Sequence, residues 1–191
     1  MHELARTYDC QGRLERAEKM QLQVLEGRKA ELGKNHHIAQ DTMHNLAITY
    51  QTQGRLEEAE KLQLQVLSCS RAEFGLDHPY TLMAMSNLAR TYQKQERLSE
   101  AERLQLQVLD LWKSMVGALD NPGNLNLSAI SDLAVTYQKQ GRLSEAERLQ
   151  LHVLDQRKSK LGADHLHTLT AMNNLAFTYQ EQAPDLPFDG S

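Results

Sequence analysis

The sequence predicts an all-α fold, a right-handed α-solenoid of helix-turn-helix units with a 42-residue period. Three observations carry that prediction. The stretch NLAITYQTQGRLEEAEKLQLQVL at residues 45–67 comes back at 87–109 as NLARTYQKQERLSEAERLQLQVL and at 132–154 as DLAVTYQKQGRLSEAERLQLHVL. One tyrosine marks the period, at Tyr8, Tyr50, Tyr92, Tyr137 and Tyr179, in steps of 42, 42, 45 and 42 residues. Within each copy the apolar residues fall at helical spacing on both sides of a short break.

In chain order, a worn partial copy occupies residues 1–33. Full copies occupy 34–75, 76–117 and 118–162, a partial copy occupies 163–182, and a tail covers 183–191. The long step comes from three extra residues in the linker 117–127, GALDNPGNLNL against GLDHPYTL at 75–82. Insertions between helices leave stacking intact.

The third copy shows why each half is a helix. Leu82, Met85, Leu88, Ala89 and Tyr92 form one apolar stripe on a first helix, helix A. Gln95-Glu96 is the break, and its counterparts Gly12, Gly54 and Gly141 suit the positive φ of a tight turn. Leu98, Ala101, Leu104, Val108 and Leu109 form the stripe of helix B, which runs to Met115 and stops at Gly117. Gly33, Gly75 and Gly162 end the same helix elsewhere, and Asp77-His78-Pro79 breaks the chain before the next helix A. Ala47, Ala89, Ala134 and Ala176 on helix A, and Ala59, Ala101 and Ala146 on helix B, sit where the two helices come close. One hairpin cannot cover its own stripe, so the copies must stack.

Met43, Leu46, Ala47, Tyr50, Gly54, Ala59 and Val66 fall on the pattern large–Leu–small–Tyr, then Gly, then Ala–small. That pattern resembles the tetratricopeptide repeat. The longer motif LG-x-DHP-x-TL-x-AM-x-NLA-x-TYQ is similar to the kinesin-light-chain type of that repeat. AE-x-LQLQVL-x-x-R resembles the repeat arrays at the C-terminal end of fungal NACHT or NB-ARC nucleotide-switch proteins. The resemblance covers essentially the whole chain. It implies the helical-hairpin fold and a protein-binding scaffold, and it names no partner.

Two departures stand out. Most such repeats carry an aromatic residue four positions after the helix-B alanine, where this chain has Gln21, Gln63, Gln105 and Gln150, each followed by Leu22, Leu64, Leu106 or Leu151. Either the glutamines are buried in a ladder bonded from repeat to repeat or to nearby backbone, or the helix is rotated so that leucine points in and glutamine out. The second departure is Asp132, which stands where the other copies have Asn45, Asn87 and Asn174.

Composition bounds the function. With 40% hydrophobic and 24% charged residues the chain is an ordinary soluble one, and no apolar run reaches a membrane-spanning length. A net charge of −4 argues against nucleic acid as a partner. Cys10 and Cys69 lie at non-equivalent positions, which indicates no disulfide framework. Residues 1–4 already read as helix A rather than a signal peptide, and a cytoplasmic location is expected. The terminal helix-A stripe of Leu169, Met172, Leu175, Ala176 and Tyr179 lacks a dedicated cap. A fragment of a longer array, a degenerate family member, or end-to-end self-association would each account for it.

No catalytic constellation stands out, and neither an enzyme nor a cofactor is expected. His36, His78 and His165 share one linker position ahead of helix A, where a helix N-terminus explains a polar residue better than a metal does. The acidic start of helix B (Glu57, Glu58, Glu60 and their counterparts) favours the helix dipole.

A partner is therefore expected on the concave helix-A face. His44, Ile48, Gln51 and Thr52, then Ser86, Arg90, Gln93 and Lys94, then Ser131, Val135, Gln138 and Lys139, then Asn173, Phe177, Gln180 and Glu181 fall between stripe positions and vary between copies. Arg6, Asp9 and Cys10 take the same places in the first copy. By resemblance to peptide-binding tetratricopeptide proteins, Asn45, Asn87 and Asn174 would hydrogen-bond the backbone of an extended peptide. The other reading is that each Asn bonds the preceding repeat. Arg90, Lys94 and Lys139 make the middle of the face basic, which suits a protein or peptide partner with acidic character.

Overall fold

The computed structural model describes residues 13–33, 36–116 and 124–183. The readings of residues 1–12, including Tyr8 and Cys10, of the middle of the linker 117–127 and of the tail beyond Ala183 lie outside the described residues.

The chain divides into two compact units, Met1–Arg97 and Leu98–Ser191. The first holds α1 (Leu14–Leu32), α2 (His37–Thr52), α3 (Leu56–Phe74) and α4 (Pro79–Lys94). The second holds α5 (Leu98–Val116), α6 (Asn124–Lys139), α7 (Leu143–Leu161) and α8 (Leu166–Gln182). Even-numbered helices are helix A and odd-numbered ones helix B. There is no strand among the described residues. In the first unit α1 packs on α2, α2 on α3 and α3 on α4. In the second α5 packs on α6, α6 on α7 and α7 on α8, with α6 also reaching α8.

Local chemistry sets the helix starts. The histidines ahead of helix A are N-caps. His36, His78 and His165 hold extended backbone, and each Nδ1 accepts from the N–H two residues on, at 3.3, 3.2 and 3.2 Å. The A-to-B turn has one geometry three times over. Arg55, Arg97 and Arg142 donate their N–H to the carbonyls of Tyr50, Tyr92 and Tyr137, each at 2.9 Å, which is the six-to-one bond of a helix closed by a left-handed residue. That residue is Gly54 (φ 77°) or Gly141 (φ 76°), and in the third copy it is Glu96 at φ 58°.

The predicted stripes are the core. In the first unit Leu25, Ala39, Met43, Leu46, Ala47, Tyr50, Ala59, Val66 and Ala84 form one cluster, with Leu62, Leu67 and Tyr80 packed against it. In the second, Ala101, Val108, Leu133, Ala134, Ala146 and Val153 are buried. The alanines assigned to close helix approach, Ala47, Ala59, Ala89, Ala101, Ala134 and Ala146, have no exposed surface, whereas Ala176 on α8 is exposed.

The glutamine question resolves toward burial. Gln21, Gln63 and Gln105 are 2% exposed and Gln150 is 4%. Leu22, Leu64, Leu106 and Leu151 face solvent instead. The rotated helix, with leucine in and glutamine out, is therefore corrected. Nor is the bonding a run of glutamine to glutamine. The partner is a buried threonine on the next helix A. Thr49, Thr91 and Thr136 donate their hydroxyls to Oε1 of Gln21, Gln63 and Gln105 at 2.9, 2.5 and 2.7 Å. Thr91 also accepts from Gln51 Nε2, so one hydroxyl joins α2, α3 and α4. Among the described residues, the Nε2 donors of Gln63, Gln105 and Gln150 and the Oε1 of Gln150 have no hydrogen-bond partner.

Two outcomes follow. Glu96→Gly removes a left-handed L-residue and is expected to raise the thermal unfolding midpoint, by a stabilisation of roughly 1 kcal/mol, while Gly141→Ala lowers it by a similar amount. Thr91→Val strands the Gln63 acceptor and the Gln51 donor and is expected to cost about 1–2 kcal/mol in chemical denaturation. Adding Gln63→Leu should recover part of that loss, and strictly additive effects in the cycle would show that the pair is not coupled.

Candidate functional site

On the first unit, the helix-A residues outside the stripe come from α2 and α4. Ile48 and Met83 are each 37% exposed, and Thr52, Arg90 and Lys94 are exposed. Asn45 and Asn87 are half-buried, because each precedes a buried Leu-Ala pair on its helix. The Asn87 amide is oriented from within the protein. Its Nδ2 lies 3.4 Å from His44 Nδ1 on the preceding helix A, and Arg90 Nη1 lies 3.5 Å from its Oδ1. So Asn87 contacts the preceding repeat through a side chain rather than through backbone. Burial pushes the His44 imidazole below its ordinary value, the Asp41 carboxylate opposes that, and Arg90 adds to it. A neutral His44 can accept the Asn87 proton. Asp41 also accepts from the Tyr80 hydroxyl at 3.0 Å, which ties the first turns of α2 and α4. Gln51 is half-buried and committed to Thr91, and Gln93 is 8% exposed. These two glutamines offer a partner much less surface than Arg90 and Lys94 do.

On the second unit, Gln138 is half-buried and Lys139 exposed on α6. Asn174 is half-buried on α8, between exposed Asn173 and Phe177. Asp132 is half-buried; burial lowers the pKa of Arg157 on α7 and the Asp132 charge opposes that, while Arg157 Nη1 donates to the His167 carbonyl at 2.9 Å.

Sequence reasoning missed a cluster that backs this face at each A-to-B turn. Arg55 sits with its guanidinium carbon 4.2 Å over the Tyr50 ring, and Nη1 bonds Glu18 on α1 at 2.7 Å. Gln53 donates to the same carboxylate at 2.9 Å. The arrangement recurs as Arg97 over Tyr92 (4.1 Å) on Glu60 (2.8 Å) with Gln95, and as Arg142 over Tyr137 (3.9 Å) on Glu102 (2.7 Å) with Gln140. The signal was in the repeat, since Gln-x-Arg and the helix-B glutamate recur with the tyrosine. In each glutamate burial acts to raise the pKa, and the glutamine and arginine hydrogen bonds outweigh it, so Glu18, Glu60 and Glu102 are held below the usual carboxylate value.

Among the described residues no helix is long and apolar enough to cross a membrane, and no three His, Cys, Asp or Glu side chains gather as a metal site.

A family model described as tetratricopeptide repeat matches residues 1–72, 38–114 and 126–183. Two crystal structures of a Podosopora anserina putative kinesin light chain with nearly identical repeats are similar to this chain. One, of a point-substituted form, has 27% identity and a TM-score of 0.78, and the other has 29% and 0.77. Each match covers 96% of this chain and 85% of that one. The structure of BtubC (BKLC) from P. vanneervenii shares the fold at 20% identity and a TM-score of 0.76, over 94% of this chain and 70% of its own. No curated protein matches the chain in sequence. The all-α helix-pair architecture expected from the repeat is the fold of these neighbours.

The carboxylates make stability acid-sensitive. A carboxyl whose folded pKa lies below its unfolded value of 4.5 contributes stability that is full above that value and lost as pH falls through the folded one. The unfolding midpoint is expected to fall as pH drops from about 5 to about 3, and Glu60→Gln should flatten that dependence while lowering stability at neutral pH. An unchanged pH slope in Glu60→Gln would show that the cluster does not contribute.

Proposed function

This chain belongs to the tetratricopeptide repeat family, and from that premise we propose that it is a non-enzymatic protein-interaction scaffold. Its partner is a short extended peptide, or a helix, taken on the helix-A face. The single observation that carries this reading is the contrast within the copies. Stripe and turn residues repeat, while the helix-A surface changes from His44 to Ser86, Ser131 and Asn173, and from Ile48 to Arg90, Val135 and Phe177. A surface released from packing and altered copy by copy is one that reads a partner.

The chemistry favours an acidic peptide with an aliphatic residue. Exposed Arg90 and Lys94 supply positive charge, and Ile48 and Met83 supply apolar surface beside them. Asn45, Asn87 and Asn174 would hold peptide groups, with Gln51, Gln93, Gln138 and Lys139 at the margins. Asn87 would exchange its His44 contact for the peptide. The cysteine usage and the lack of an apolar run support a cytoplasmic scaffold. The reading as a sensor arm of a NACHT or NB-ARC switch protein rests on the helix-B motif alone.

A peptide-display selection against the full chain tests the proposal. Enriched peptides are expected to carry Asp or Glu near an aliphatic residue and to bind about ten-fold more weakly to an Arg90→Glu/Lys94→Glu variant. An Asn45→Ala/Asn87→Ala/Asn174→Ala variant should weaken them as well. Enriched peptides indifferent to both variants, or no enrichment, would overturn the helix-A face as the binding site.

A further inference from the structure

The last helix pair carries the Arg–Tyr–Glu–Gln cluster with one member missing. Gln182 on α8 donates to Glu147 on α7 at 2.9 Å, as Gln53, Gln95 and Gln140 do to their glutamates. Burial raises the pKa of the Tyr179 hydroxyl, and the charge of the same carboxylate adds to that. In each complete cluster a guanidinium lies between that tyrosine ring and that carboxylate. The residue in the arginine's place, 42 positions beyond Arg142, is Pro184, which has no donor to offer. Among the described residues no guanidinium lies over Tyr179 or on Glu147. Tyr179 is 45% exposed, against 8–9% for Tyr50, Tyr92 and Tyr137.

The surface beside the open cluster is apolar. Leu169, Met172, Ala176 and Tyr179 lie on one face of α8, all exposed, and their counterparts Leu82, Met85, Ala89 and Tyr92 on α4 are buried. What covers such a face within each unit is a helix B of fixed chemistry. α3 and α7 open on Arg-Leu and place an alanine with no exposed surface four residues after the arginine (Ala59, Ala146), where the close helix approach requires it.

We propose that the open face of α8, with Tyr179 and Glu147, is a docking site for an amphipathic helix of another polypeptide that begins Arg-Leu and carries alanine four residues after the arginine. The arginine would stack on the ring and form the ion pair that Gln182 already orients, while the alanine permits close approach to Leu169, Met172 and Ala176. Charge complementarity selects arginine over lysine, since a planar guanidinium can stack and bond in the same plane. This site lies on the stripe side of α8, apart from the copy-variable residues Asn173 and Phe177 of the same helix.

The probe is a labelled peptide of residues 142–161, RLSEAERLQLHVLDQRKSKL, titrated into the full chain by fluorescence anisotropy. Saturable binding is expected, and an Arg142→Gln version of the peptide should bind about ten-fold more weakly. A Glu147→Gln chain, shown folded by circular dichroism, should lose the same factor for the original peptide and lose nothing more for the Arg142→Gln peptide. Tyr179→Ser in the chain should weaken the original peptide as well. The proposal is overturned by absence of saturable binding, or by equal affinity of the two peptides. It is also overturned if the chain alone sediments as a dimer that Tyr179→Ser dissociates, which makes a second copy the occupant. Binding that appears only after deletion of residues 184–191 would make the chain's own tail the occupant, and would equally overturn it.

Discussion

In the first unit, three helices meet at one guanidinium. Arg55 opens α3, lies over the Tyr50 ring of α2, and bonds the Glu18 carboxylate of α1. The same group also bonds Glu58 one turn into its own helix. Magnitudes place its role. The arginine side chains of these pairs are 36–37% exposed, so solvent screens each ion pair and it adds little. Burial of Met43, Leu46 and Val66 contributes far more, roughly 1.5–3 kcal/mol for each side chain. Yet stripes of leucine, methionine and alanine tolerate sliding, and the guanidinium does not. A ring on one side and a carboxylate on the other fix where each helix B starts against the two helices before it. The left-handed turn residue is subordinate to that demand. Glu96 accepts positive φ so that Arg97 can reach Tyr92 and Glu60.

A second directional contact lies deeper. Glutamine on helix B occupies a place that an aromatic ring usually fills in repeats of this kind, and a buried amide must be answered. The threonine of the next helix A answers it, and does so without exposing either group. The bond runs between copies, from helix B of one to helix A of the next. It therefore discriminates a neighbouring repeat in correct register from a slipped one, in a way that leucine on leucine cannot. Register between neighbouring copies is what this directional bond supplies.

What was legible in the sequence follows from this division. The hairpins, their stripes, the close-approach alanines and the helix-capping role of His36, His78 and His165 could all be read, because periodicity and local backbone chemistry dictate them. Contacts between copies could not be read the same way. The spacing of Gln63 from its own alanine says nothing about Thr91, which lies 28 residues on. Arg55 pairs with Glu18, which lies 37 residues back in the worn first copy, beyond what local spacing shows. Asn87 shows the limit at the candidate site. Its place on helix A was legible, but the histidine beside it belongs to the helix before, and that helix fixes its amide.

The division also explains how such a chain can change its partner without changing its fold. Residues that fix register, namely the tyrosine and threonine of helix A, the glutamine and arginine of the turn, and the glutamine and glutamate of helix B, are the same in each complete copy. Residues such as Ile48, Arg90, Val135 and Phe177 differ from copy to copy, while the cluster and the glutamine row repeat around them. α8 obeys the same logic from the other side. Its Glu147–Gln182 bond has the form of an interior copy, while Thr178 donates to the Asn174 carbonyl of its own helix rather than to Gln150, and its outer face is exposed. A helix prepared for a neighbour by the same residues that prepare the interior helices specifies that neighbour's chemistry in advance: an arginine at its start, and a small residue one turn later.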